Sequence, residues 1–262
     1  MTETAHPRPR RTRADDARRF ADLLRQQIRA DEFRDRGLPS EGDLVREFGI
    51  SRNAVRDGLA QLKSEGLIDR APRIGTHVTQ RKVEHGIDRL VGLKQTLREY
   101  GTVRNEVRAA MEITPPPAVA RRLELAAGER VVYIERVRYL GDLPLSLDLT
   151  YLEPGVGGQL LGCDLEHNDV FALIESVCGQ SLGSAELAVE AVVADAHSAA
   201  NLQTPEGAAL LLLERLTRLS DGKPVDLEYI RMRGDRITLR GSLFRDPSGN
   251  TTVDDTTEWE FT

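Results

Sequence analysis

Leu38-Pro39-Ser40-Glu41-Gly42-Asp43-Leu44-Val45-Arg46-Glu47-Phe48-Gly49-Ile50-Ser51-Arg52-Asn53-Ala54-Val55-Arg56-Asp57-Gly58-Leu59 is the stretch on which the reading of this chain turns. Ser40 suits a helix N-cap, and Asp43, three residues on, stands where a capping-box acid would, although it is shorter than the usual Glu. Leu44, Val45 and Phe48 give that helix one apolar side. Gly49 falls where a helix ends on a left-handed backbone. Ser51 then opens a second helix, with Val55, Leu59 and Leu62 spaced i, i+4, i+7 along one face. Two helices about a short Gly-bearing turn form a helix-turn-helix.

Outward from this pair the pattern stays consistent. Upstream, Phe20, Leu24 and Ile28, with Leu23 alongside, mark one more amphipathic helix. Downstream of Gly66, Leu67-Ile68-Asp69-Arg70 and Thr76-His77-Val78-Thr79 flank a Pro/Gly turn at residues 71–75, which predicts a hairpin, the wing. Residues 14–79 are therefore expected to form a winged helix-turn-helix domain, preceded at 1–13 by a disordered basic arm.

A length of 262 residues favours two domains. The net charge of -6 conceals an asymmetry: residues 1–82 hold 18 Lys and Arg against 13 Asp and Glu, and residues 83–262 hold 18 against 29. A basic head on an acidic body points to a polyanion met by the head alone. No apolar run approaches the ~20 residues of a membrane helix, and Met1–Arg13 has no apolar signal core. Cys163 and Cys178 have neither a CxxC spacing nor a His cluster beside them. The expectation is a cytoplasmic protein with free thiols, no metal, no cofactor and no membrane partner.

Leu38-Pro39-Ser40-Glu41, Phe48-Gly49-Ile50-Ser51-Arg52, Val55-Arg56, Gly66-Leu67-Ile68 and Gly75-Thr76 strongly resemble the DNA-binding domain of GntR-family regulators. The resemblance covers nearly all of residues 14–79. It implies that the second helix of the pair enters the major groove. Arg52 is then placed for guanine O6 and N7, Asn53 for adenine, and Arg56 for a base edge or phosphate. Ser40 and Ser51 cap helix ends suited to phosphates. Arg73, Gly75 and Thr76 on the wing face the minor groove or backbone. Two positions depart from the family pattern: Gly42 stands where an Arg is common, and Arg73 where a Gly is common.

The remainder alternates between strand and helix patterns. A charged linker is expected at 80–101, with Leu90, Leu93 and Leu97 at roughly helical spacing. Helices are predicted at 115–125 and 169–178, and strands at 129–140, 145–152, 185–193, 209–219, 225–233 and 237–244. Gly141-Asp142-Leu143-Pro144 and Asp221-Gly222-Lys223-Pro224 read as hairpin turns. The fold class is α+β in two domains, the second built on an antiparallel sheet at 102–246 and followed by a disordered acidic tail at 247–262. This half resembles the UTRA-type effector domain of the HutC subfamily, whose fold is similar to chorismate lyase. The carrying residues are Arg136-x-Arg138, the Gly-Asp-x-Pro turn, Tyr151-Leu152-x-Pro154, Asp221-Gly222-Lys223-Pro224-Val225 and Arg233-Gly234-Asp235-Arg236.

Arg136 and Arg138 lie two apart on a strand and so share a face. Ser146, Asp148 and Thr150 alternate likewise on the returning strand. A register pairing Arg136 with Asp148 unites all five, and the opposite parity separates them. Either the arginines bind an anionic effector while Asp148 orients it, or they make surface salt bridges. In relatives that sense sugar phosphates, the resemblance implies further Ser, Tyr, Glu and Tyr contacts. These positions fall here on Asp169, Phe171, Asp226 and Met232. An aspartate in place of a phosphate-binding hydroxyl disfavours a dianion, so the expected effector is anionic but not a phosphosugar: one acidic group, some apolar bulk and an amine. The whole reading is a repressor, a homodimer on an inverted-repeat operator, released by its effector. The alternatives are a lyase-like enzyme and a non-sensing dimerisation domain behind a DNA-binding head. Against the enzyme, no catalytic constellation is evident among the scattered His77, His85, His167 and His197.

Overall fold

A computed structural model of the chain describes residues 12–33, 37–71, 75–79 and 82–244. Its first helix, α1 (Arg13–Arg29), opens on a reciprocal capping box between Thr12 and Asp15. Thr12 and Arg13 thus belong to this helix, and only residues 1–11 of the expected arm lie outside the described residues. Next come α2 (Glu41–Phe48) and α3 (Arg52–Ser64), capped by the side chains of Ser40 and Ser51, with Gly49 left-handed at φ 62° between them. The wing is an antiparallel hairpin of β1 (Ile68–Ala71) and β2 (Gly75–Val78). Phe20, Leu24, Leu44, Val55 and Leu62 close the core, and the Phe20 and Phe48 rings meet edge to face at 4.9 Å. Helix α1 crosses α3 at Gly58, where a Cβ would run into the Phe20 ring and stand 2.8 Å from the Ala17 carbonyl oxygen.

The second region runs β3 (Val83–Gly86), α4 (Leu93–Leu97), β4 (Val103–Ile113), α5 (Pro117–Arg122), β5 (Val131–Leu140), β6 (Leu143–Leu152), α6 (Pro154–Leu160), α7 (Val170–Cys178), β7 (Leu182–Val193), α8 (Ala196–Leu202), β8 (Ala209–Leu219), β9 (Pro224–Arg233) and β10 (Ile237–Arg240). Six strands form one antiparallel sheet in the order β4-β5-β6-β9-β8-β7. Helices α4, α6 and α7 pack apolar side chains on one face, and α5 and α8 cover the other. The fold class read from the sequence is the one observed.

Two boundaries differ from expectation. Much of the stretch read as linker is structured: β3 pairs in parallel with β10, Val83 beside Ile237, and Leu93 and Leu97 of α4 are buried. The predicted last strand stops at Arg240, leaving Leu243 and Phe244 exposed beyond it. Both differences follow from a pairing between chain segments some 150 residues apart, which local periodicity does not encode.

Candidate functional site

In the head, the first turn of α3 presents Arg52 and Asn53 to solvent, with no acidic residue in that turn to oppose its positive end. Ser51 Oγ accepts from the Ala54 N–H at 3.2 Å and holds the turn in shape. Ser40 Oγ does the same for Asp43 N–H, and itself donates to the Asp43 carboxylate at 2.6 Å. Asp43 therefore caps the cap, although it does not close a capping box. Arg56 is not idle: its Nε donates to Glu41 at 3.0 Å, and Arg70 of the wing donates to the other oxygen of the same carboxylate at 3.1 Å. The Arg56 hydrogen bond is the main cause holding the Glu41 carboxyl below its ordinary range. A groove between α3 and the wing runs past Arg56, Lys63, Arg70 and Thr76. Gly75 opens β2 at φ 92°, and Thr76 pairs with Arg70 across the hairpin. Arg73 lies outside the described residues. Arg70, which sequence reasoning passed over, was signalled only as a cation within a predicted wing strand.

In the body, the hairpin register pairs Arg136 with Asp148 and Arg138 with Ser146, so the polar residues of β5 and β6 share one face. The same face continues through Asp226 and Glu228 on β9 to Thr217 and Arg215 on β8, because Glu228 is opposite both Thr150 and Arg215. All of these side chains are buried; Arg136, Asp148, Thr150 and Asp226 are at most 1% exposed. The ion pair is not the one that register alone suggests. Arg138 reaches across to Asp148 at 2.5 Å, and Ser146 donates to the other Asp148 oxygen at 2.6 Å. Burial alone would raise the Asp148 carboxyl, but Arg138, Arg136 and the Ser146 hydroxyl together hold it below its ordinary value.

Arg136 has no carboxylate partner in hydrogen-bond reach. Its Nη1 donates to the Leu165 carbonyl at 3.3 Å, and its Nε makes no hydrogen bond. Burial, and then Arg138, push its guanidinium down from the ordinary value. Arg138 also leaves Nε and Nη1 without a partner. Asp226 is the reverse case: neither carboxyl oxygen is hydrogen-bonded, and burial, reinforced by Glu228, holds the carboxyl well above its ordinary range.

Of the other expected site residues, Asp169 caps α7 by accepting the Phe171 N–H at 3.0 Å, and its carboxylate backs directly onto Gly92, where any Cβ would collide with it. Phe171 supports a third buried arginine, with the Arg215 guanidinium 4.4 Å from its ring centroid. Met232 lies within an apolar cluster with Leu93, Leu97 and Ile230. Arg215 and Glu228 were not singled out from the sequence. Arg215 donates to Glu228 Oε2 from Nη2 and, at 3.0 Å, from Nε. The signal was available, since Arg215 and Thr217 alternate on a predicted strand just as Arg136 and Arg138 do. Arg215 also forms part of the wall of a cleft of about 190 Å³, with His85, Leu90, Ala185, Leu187 and Leu213. His85 bonds Thr96 Oγ1 at 3.1 Å, and burial, with Arg215 and Arg138 adding, depresses its imidazole to about 4.

Among the described residues no cluster of His, Cys, Asp and Glu could hold a metal, and no helix is long and apolar enough to cross a membrane. Comparison with known proteins matches residues 17–78 to bacterial regulatory proteins of the gntR family and residues 99–238 to the UTRA domain. The HTH-type transcriptional repressor NagR of Bacillus subtilis is 28% identical over 218 residues, 82% of this chain and 89% of that protein. The mannosyl-D-glycerate transport/metabolism system repressor MngR of Escherichia coli is 30% identical over 162 residues, 61% of this chain and 67% of that one. Among solved structures, PhnF from Mycobacterium smegmatis superposes with a TM-score of 0.64 at 21% identity, covering 87% of this chain and all of that one.

Proposed function

The chain belongs to the gntR family of bacterial regulatory proteins, with a UTRA domain behind its DNA-binding head, and we propose that it is a homodimeric repressor of an inverted-repeat operator, released by a small anionic effector. The relatives named above are repressors, not enzymes, and the helix-turn-helix and effector domain divide the work of DNA binding and sensing. In the head, Arg52 and Asn53 read base edges from the major groove, with Arg56 exchanging Glu41 for a phosphate or base. Ser40, Ser51, Gly75 and Thr76 position the backbone, and Arg73 joins them at the wing.

The observation that carries the effector reading is the buried guanidinium pair of Arg136 and Arg138, with three N–H groups that bond nothing in the protein. A buried donor left unpaired costs about 1–3 kcal/mol, so a face that keeps three is built for an acceptor from outside. Asp148 fixes Arg138, Phe171 and Asp169 stand at the start of α7, and Met232 and Asp226, six residues apart on β9, lie on the same face of the sheet. With Asp148, Asp169 and Glu228 already nearby, a monoanion suits the face better than a phosphate dianion.

The dimer reading is supported by β7. It is an edge strand of 12 residues, with Leu187, Val189 and Val193 exposed at 45, 42 and 70%. An edge this long and apolar invites a covering partner, and a second copy supplies one. The test pairs operator selection from random DNA with light scattering. A dimer mass and a selected inverted repeat are the expected outcome. A monomer that selects a single unrepeated half-site overturns the proposal.

A further inference from the structure

Two ionisable groups on the buried face of the sheet have no match, one basic and one acidic. Asp148 is paired with Arg138, and Glu228 with Arg215. Arg136 has only the Leu165 carbonyl, and Asp226 has no hydrogen bond at either oxygen. Around Asp226 stand two further polar atoms without partners in the protein: the hydroxyl of Thr217, directly opposite on β8, and that of Thr150, on the adjoining rung of β6. Unpaired guanidinium donors therefore gather on β5, and a carboxyl and two hydroxyls, each able to accept from an ammonium, are left unpaired on β9, β8 and β6. Strands β5 and β9 flank β6, and Asp226 lies four residues along the sheet from the rung of Arg136. Two strand spacings of ~4.8 Å and a rise of ~3.3 Å per residue put the two backbone positions ~16 Å apart. The Arg136 side chain, extended along the face, crosses part of that span and acts electrostatically on Asp226, and a small bifunctional ligand bridges the rest.

A simple acid would satisfy the guanidinium groups and leave Asp226 and both threonines as they are. We propose that the effector is a small zwitterion, an organic acid that also carries a protonated amine, with its anion on Arg136 and Arg138 and its ammonium on Asp226, Thr217 and Thr150. This rests on the arginine-site reading given above and adds the second half of the ligand. The charged groups that face Asp226 are Glu228 on its own strand, Arg215 on β8, Arg136 on β5 and Asp169 at the start of α7. Burial and Glu228 favour the protonated carboxyl; an ammonium seated there favours the carboxylate, so the complex forms with release of a proton as Asp226 ionises.

The test uses the full chain and matched probe pairs: the proteinogenic amino acids and short ω-amino acids, each beside the acid that lacks only the amine. Binding is read by calorimetry in buffers of different ionisation enthalpy. At least one zwitterion is expected to bind about tenfold or more tighter than its matched acid, with proton release. In Asp226→Asn, which keeps the shape of the protonated acid, that preference and the proton release are both expected to vanish. Binding confined to acids without an amine overturns the inference. So does an Asp226→Asn protein that keeps the preference, which would mark Asp226 and the threonines as a buried-water site. Arg136→Ala separates the two levels. If that variant binds the probes as tightly as wild type, or if no acid of either kind binds wild type, the arginine site itself is wrong.

Discussion

The head and the body handle charge in opposite ways. Among the described residues, every buried charged side chain lies at or beyond His85; the head's core is apolar and its arginines and acids are at the surface. Arg13–Asp57 and Arg56–Glu41 join head elements through partly exposed pairs, of the kind worth ~0–1 kcal/mol. In the body, Arg138–Asp148 and Arg215–Glu228 are at most 8% exposed on any partner. The contrast follows from what each region meets. DNA is a large polyanion that never enters a core, so the head needs cations outside. A small molecule can be surrounded, so the body can keep charge inside, where each interaction is stronger and each unpaired group costs more.

The largest expected effect tests that difference directly. Asp148→Ala strands the Arg138 and Arg136 guanidinium groups in the sheet and should cost about 3–5 kcal/mol of stability in urea unfolding. Hydrogen exchange should localise the loss to β5, β6 and β9. Asp57→Ala in the head should change stability by ~1 kcal/mol or less. Replacing Arg138 and Asp148 together by Met and Leu should recover most of the loss, since an apolar pair of similar volume needs no partner. Equal costs for the Asp148 and Asp57 variants would remove the distinction between the two regions.

Acid should sharpen the comparison next. His85 has a folded-state value of about 4 against an ordinary 6.5. Its folded value is depressed, so the neutral ring is the form that the fold favours. That stability is fully present above pH 6.5 and is lost as the unfolded chain takes up the proton first, down to about pH 4. The full span corresponds to about 3 kcal/mol. His85→Gln should flatten that limb of the pH–stability curve, and an unchanged curve would mean that the ring is not held neutral. Among the described residues the head's histidine, His77, is only half-buried, so the head's exchange protection should not follow this titration.

How much of this was legible in the sequence depends on how local the cause is. Helices α2 and α3 were readable because caps, the Gly49 turn and apolar spacing all lie within a few residues. Strand β4 was missed because a bulge between Val107 and Ala109 breaks the alternation, and its edge position leaves charged residues on both faces. Helix α6 was missed because Gly155, Gly157 and Gly158 argue against a helix. It forms because Glu153 caps it, and Gly157 lets it approach β5, where a Cβ would stand 2.7 Å from Val132 Cβ. The Arg136-x-Arg138 pair announced its shared face, but the step between Arg138 and Tyr139 meant that only the folded hairpin could supply the register. The Arg215–Glu228 pair and the isolation of Asp226 depend on β8 and β9 lying next to β6, and no spacing records that.

The smallest expected effects come from the head, where two cations on one helix should behave differently. Arg52 is exposed in the first turn of α3 and, among the described residues, makes no ion pair within the head, which leaves its guanidinium to meet a base. Lys63 lies in the last turn, beside Asp69 at 3.0 Å, with both partners more than half exposed. Arg52→Ala should weaken operator binding by ~1–3 kcal/mol per half-site and relax selectivity at one G·C pair. Lys63→Ala should leave selectivity intact and change stability by well under ~1 kcal/mol, because an exposed pair in water contributes little. If Lys63 meets a phosphate, its loss should lower the slope of log affinity against log salt by ~1 and weaken operator and random DNA alike. Titrations of both variants on operator and random DNA, across several salt concentrations, measure all of this. Equal losses on both DNAs for Arg52→Ala would make it another phosphate contact and move base reading elsewhere on α3. A selective loss for Lys63→Ala would extend base reading along the helix to its last turn.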